Sequence, residues 1–220
     1  MRGFKNNRLN LLFQKDDFNQ IIEYLVKGCK NMKSNCINSV SLLPNDENKI
    51  RNILLKEYIA VDYIQKQNGM ENYRFEPETQ ENYDGKGNFI GRADIKILLK
   101  TDFERNDAYF LVECKRIDGK SKLNKKYIEE GVGRFISGKY SSYYGQNFML
   151  GFVVVKVDIV ANKNRIEHIQ NTHLDKQMHG KFITQCIEED VGVFRCVYKL
   201  TSVELELGHI FFDLSPVCAW

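Results

Sequence analysis

The chain has 220 residues, of which 43% are hydrophobic and 12% aromatic, enough apolar area for one sizeable core and too much for a disordered chain. Its 32 basic and 29 acidic residues leave a formal net charge of +3, too near balance to announce nucleic-acid binding without local clustering. The longest apolar run, Phe148 to Val155 broken by Gly151, falls far short of the roughly 20 residues that span a bilayer, and six cysteines without a C-x-x-C pair, behind no signal-type segment, fit reduced thiols in a cytoplasm.

Phe18, Ile21, Ile22, Leu25 and Val26 recur at three- and four-residue steps, so Asp16–Cys29 is expected to be a helix with one buried stripe. After Pro44, the residues Ile50, Ile53, Leu54, Tyr58 and Val61 mark a second, long helix with Asp46 and Glu47 in its first turn. The polar stretch Gln67–Asn88, with Gly69, Pro77, Gly85 and Gly87, is expected to be loop with a short extended piece at Tyr73–Phe75 and a tight turn at Asp84-Gly85. Ala93–Lys100 and Ala108–Lys115, separated by the polar Thr101–Asp107, form a hairpin. Tyr127, Ile128, Val132, Phe135 and Ile136 mark a helix ending near Gly138, and Phe148–Val157 is a buried strand. Beyond Asn162 the pattern weakens into mixed helix and loop before two strands, Val191–Lys199 and Val203–Leu214.

The hairpin places three polar side chains. Facing residues of an antiparallel pair keep a constant index sum, so a loop centred near Glu104 sets Asp94 across from Glu113. Side chains alternate along a strand, which puts Glu113 and Lys115 on one face while Phe110, Val112 and Cys114 share an apolar other face. Packing that apolar face on the core turns Glu113 and Lys115 toward Asp94. Two adjacent carboxylates repel unless a cation joins them, and hard oxygen donors with open positions suit Mg²⁺. Such an ion polarises a phosphate and acidifies a bound water, which Lys115 would hold or help deprotonate.

Gly91-Arg92-Ala93-Asp94 followed by Tyr109-Phe110-Leu111-Val112-Glu113-Cys114-Lys115 resembles the core of the PD-(D/E)XK nuclease superfamily, with Ala93 in place of the signature proline. The resemblance spans Asp46 to Val157 in element order, and Tyr127–Gly131, Arg134-Phe135, Gly138-Lys139-Tyr140 and Met149–Phe152 add a likeness to small bacterial restriction-endonuclease-like proteins. It implies a restriction-endonuclease-like α/β (α+β) fold, Asp94 and Glu113 as metal ligands, the Cys114 carbonyl as a third, and Lys115 as the catalytic lysine. Mg²⁺ is the implied cofactor, with Mn²⁺ as its substitute. Glu47 stands where many members carry a further acidic residue near the metal. The implied reaction is in-line attack of water on nucleic acid, DNA before RNA, leaving a 5′-phosphate and a 3′-hydroxyl. Relatives act in antiphage defence, restriction or nucleic-acid processing, some beside an ATPase or helicase, and paired cuts on duplex would call for a homodimer.

Each residue also has a plainer reading. An acid two places before a lysine also occurs at Glu47, Asp84, Asp94 and Asp118, and only Glu113 closes an apolar strand with a facing acid upstream. Glu47 is favoured in a first turn by the helix dipole whatever its function, and Glu57 competes for the same role. Lys115, Arg116, Lys120, Lys122, Lys125, Lys126, Arg134 and Lys139 outnumber Asp118, Glu129 and Glu130. That patch fits a phosphate backbone, with Arg116, Lys122, Lys125 and Arg134 as contacts, or else a solvated loop. Arg134 reaches either a phosphate or an acidic side chain. Cys114 as a nucleophile is disfavoured by its apolar face, and the histidines lack cysteine partners at zinc spacing. The expected architecture is a central mixed sheet of about five strands flanked by helices, residues 45–220 forming the nuclease-like domain and 1–44 an N-terminal helical appendage.

Overall fold

The middle strands are apolar on both faces, so the sheet they form has to be covered twice. The computed structural model describes residues 7–83, 85–100, 108–140, 143–175, 179–200 and 204–219, the side chains of 7–15 and 81–83 excepted. Its seven strands are β1 Tyr73–Tyr83, β2 Phe89–Leu99, β3 Tyr109–Ile117, β4 Gln146–Val153, β5 Ile183–Ile187, β6 Val191–Lys199 and β7 Glu204–Asp213. They form one mixed sheet in the order β1-β2-β3-β4-β7-β6-β5. β3, β4 and β7 run parallel, and the outer pairs are antiparallel.

Helices α1 (Asn7–Asn38) and α2 (Glu47–Leu54) cover one face, where Phe18, Ile21, Leu25, Ile50 and Leu54 meet Phe110, Val112, Phe148, Leu150 and Phe152. The segment read as an appendage thus contributes side chains to this core. A π-helical turn, Leu55–Ile59, continues α2, and a short α3 (Asp62–Gln67) follows. On the other face lie α4 (Ser121–Lys126), a π-helical stretch Tyr127–Val132, α5 (Gly133–Ile136) and α6 (Ile159–His173). Tyr127, Ile128, Phe135 and Ile166 pack there against Leu111, Met149, Leu207 and Phe211. The result is an α+β fold with helices on both sides of a mixed sheet.

Several elements differ from the sequence reading. β1 is an eleven-residue strand, not a loop with a short extended piece. It is an edge strand, so apart from Tyr73 and Phe75 its side chains up to Gln80 are partly or fully exposed, and Pro77 is tolerated there. The sheet has seven strands rather than five, and the region read as mixed helix and loop contains α6 and β5. Asn162 and Gln170 point inward from α6, which hides its apolar period, while β5 is largely exposed. The second helix is broken after Ile59 rather than running through to Val61. The Thr101–Asp107 loop, the Asp84 half of the expected turn and Val203 lie outside the described residues. Among the described residues no helix is long and apolar enough to cross a membrane, and all six cysteines are free.

Candidate active site

The β2–β3 register runs from Leu98↔Tyr109 to Ile95↔Val112, so its next step sets Asp94 beside Glu113, as the hairpin arithmetic expects. The ladder stops there, and Asp94 Oδ2 instead accepts the Cys114 backbone N–H at 2.7 Å. On its other side the β1–β2 ladder passes from Pro77↔Ile95 to Thr79↔Ala93, while Glu78 between them has a left-handed φ of 45°. Asp94 therefore sits where β2 is released by both neighbours. Above it lies the first turn of α2, capped by Asp46, whose carboxylate accepts the Lys49 N–H at 2.9 Å. Glu47 and Arg51, one helical turn apart, share the face of α2 that looks onto the site.

Every carboxylate oxygen of Asp94, Glu113 and Glu47 has a hydrogen-bond partner within the chain. Arg51, 1% exposed, donates to Asp94 Oδ1 at 2.5 Å and also reaches Glu78. Glu113, fully buried, accepts Lys115 Nζ at 2.5 Å and Arg134 at 2.7 Å on Oε1. Glu47 accepts Lys115 Nζ at 3.1 Å and the Arg116 backbone N–H at 2.9 Å. Lys115 also donates to the Cys114 carbonyl at 2.9 Å. The Tyr140 hydroxyl lies 2.6 Å from the Arg92 carbonyl and 2.7 Å from Glu113 Oε2, with a single hydrogen to give. A proton on Glu113 completes the second of these contacts.

The electrostatics agree with that proton. Burial, and then the negative charge of Asp94, push Glu113 from 4.5 up to about 7, against the pull of Lys115 and Arg134. Burial works to lower the Lys115 pKa, but Glu113, Glu47 and Asp94 outweigh it and the net shift is upward, toward the ammonium form. In this arrangement Lys115 is a hydrogen-bond donor and a positive charge. Cys114 is buried on the apolar face, and burial drives its thiol far above the ordinary range, the opposite of an activated nucleophile.

Asp94, Glu113, Lys115, Glu47 and the Cys114 carbonyl are brought together, and Arg134 joins them through an acidic side chain. Glu57 is exposed on the π-helical turn and lines a different cleft with Lys27 and Asn31. Arg116 folds back on Asn45, donating to its carbonyl and side-chain oxygens at 2.7 and 2.8 Å. Lys122 and Lys125 are exposed on α4, whereas Lys126 lines the groove beside Lys115 and Arg116. Arg51, Glu78, Arg92 and Tyr140 belong to the site although the sequence reading did not assign them to it. The spacing of Arg51, four after Glu47, was a usable signal.

Among the described residues, no three His, Cys, Asp or Glu side chains cluster so as to hold a metal ion. The donors present are two carboxylates and a main-chain carbonyl, hard oxygens of the kind with which Mg²⁺ is held while it keeps several waters. The mutual repulsion of Asp94 and Glu113 is what a dication relieves. In donor type the set fits Mg²⁺. Beside it opens a cleft of about 390 Å³, lined by Glu47, Asp94, Lys115, Arg134, Arg92 and Lys139 among others.

No protein-family model, characterised protein or solved structure matches this chain.

Proposed function

We propose that this chain is a metal-dependent nuclease of the PD-(D/E)XK type with a restriction-endonuclease-like core, cutting nucleic acid, DNA before RNA, in bacterial defence or restriction. The observation that carries the reading is the convergence of Asp94, Glu113 and Lys115 at the end of β3, beside a cleft bordered by Arg92, Arg134 and Lys139. Asp94, Glu113 and the Cys114 carbonyl would hold Mg²⁺ or Mn²⁺, with Glu47 next to them. The bound ion supplies phosphate polarisation and an acidified water. Lys115, as an ammonium, contributes charge and hydrogen-bond donors to a phosphate oxygen or that water. Arg134, with 35% of its side chain exposed, can leave Glu113 for a substrate phosphate in the bidentate geometry its guanidinium favours. Burial keeps Glu113 and Asp94 in place, so the groups are oriented before substrate arrives.

The test is cleavage of plasmid and linear DNA by the purified chain with Mg²⁺ or Mn²⁺, alongside Lys115→Ala and Asp94→Ala. The expected result is nicking by the wild type that both substitutions abolish. Nicking that survives both would overturn the site. One observation favours a second reading, a nuclease-shaped subunit that binds nucleic acid or protein without cutting: every carboxylate oxygen of Asp94, Glu113 and Glu47 is already hydrogen-bonded within the chain. Nucleic-acid binding without cleavage under either metal would favour that reading.

A further inference from the structure

Phe89 and Ile90 open β2 with 44% and 43% of their surfaces exposed, and both line the cleft that holds Asp94, Lys115 and Arg134. β2 pairs with β3 only between Ile95 and Leu98, whereas its pairing with β1 continues to Tyr83↔Phe89. A two-stranded ribbon therefore extends past the carboxylates. It is fixed in place: Tyr140 donates to the Arg92 carbonyl at 2.6 Å. A Cβ on Gly91 would lie 2.7 Å from the Lys139 carbonyl oxygen and 3.0 Å from the Tyr140 ring, so only glycine lets the ribbon dock this closely.

The cleft thus presents an aromatic and an aliphatic side chain alongside Arg92, Arg134 and Lys139. That pairing suits a ligand with a flat apolar face joined to an anionic backbone. Continuous duplex hides its base faces in the stack and offers mainly phosphates. An unpaired nucleotide offers both, and stacking on an aromatic side chain is worth about 1–3 kcal/mol per base.

We propose that Phe89 stacks on an unpaired base next to the scissile phosphate, with Ile90 lining the same cleft, so that the site takes single-stranded or locally unpaired nucleic acid in preference to continuous duplex. This rests on the nuclease reading and names its substrate.

The test compares the wild type, a Phe89→Ala, Ile90→Ala double variant and Phe89→Trp on three labelled substrates. These are a single strand, a duplex with a central unpaired segment, and the fully paired duplex of the same sequence. Affinity is read by anisotropy in EDTA and cleavage with Mg²⁺. The wild type is expected to favour the two unpaired substrates. The double variant should lose about tenfold of that preference, while Phe89→Trp retains it. Equal or better handling of paired duplex by the wild type would overturn the stacking. So would an unchanged preference in the double variant, or a sedimentation change showing that Phe89 and Ile90 join two copies instead. Failure of the wild type to bind or cut any of the three would remove the nuclease reading itself and the stacking with it.

Discussion

Replacing Glu113 with glutamine keeps the shape of the side chain and removes its charge. The wild-type carboxyl is harder to ionise in the folded chain, near 7, than in the unfolded chain, near 4.5. The folded state therefore holds the proton to higher pH, and the contribution of this group to stability is full below 4.5 and lost as pH rises through 7. At about 1.4 kcal/mol per pKa unit, the loss between the two limits is about 3 kcal/mol. Urea unfolding of wild type and Glu113→Gln at pH values from 5 to 8.5, without divalent metal, isolates this term because the other groups titrate in both proteins. The stability difference should move by about 2–3 kcal/mol in favour of the variant as pH rises. Saturating Mg²⁺ should restore the wild type alone at the alkaline end. A pH-independent difference would refute the reasoning, since it would mean that the carboxyl ionises as freely inside as outside.

Three further outcomes follow from the packing. Arg51→Ala strands the Asp94 and Glu78 carboxylates without their buried counter-ion and should cost about 3–5 kcal/mol in urea unfolding. A cost under about 1 kcal/mol would mean that solvent already compensates them. Gly151→Ala puts a Cβ 2.5 Å from Ile117 Cδ1 and 2.9 Å from Phe211 Cδ1, so thermal unfolding should report about 1–3 kcal/mol of overpacking strain. Burial brings His209 down to about 3, with Tyr127 at 2.8 Å from its Nδ1. Its ring proton shifts should therefore stay constant between pH 5 and 8 by NMR, while an exposed histidine titrates.

The hairpin was legible because its strands alternate cleanly and its loop is flanked by matched lengths, which fixed both the register and the meeting of Asp94 with Glu113. β1 was not, because an edge strand with solvent on one side carries Arg74, Glu76 and Gln80 and reads as loop. Asn162 and Gln170 buried in α6 bond to Asn124 and Tyr198, a pairing across distant segments that no local window contains. The same holds for Arg51, whose partner Asp94 is 43 positions away. The basic run from Lys115 to Lys139 is plain in the sequence, but only the fold separates Lys126, which lines the groove beside Lys115, from Lys122 and Lys125, which do not.

The charged groups of the cluster come from stretches far apart in the chain, with Glu47 and Lys115 separated by 68 positions. β3 reaches its parallel neighbour β4 only across a helical crossover, and β4 is closed on its other edge by β7. Pairings of this span form late, because loop closure has to precede the contacts that reward it. The cluster therefore exists only once α2 has docked over β2 and β3, so the site is a property of the tertiary fold and of no single segment.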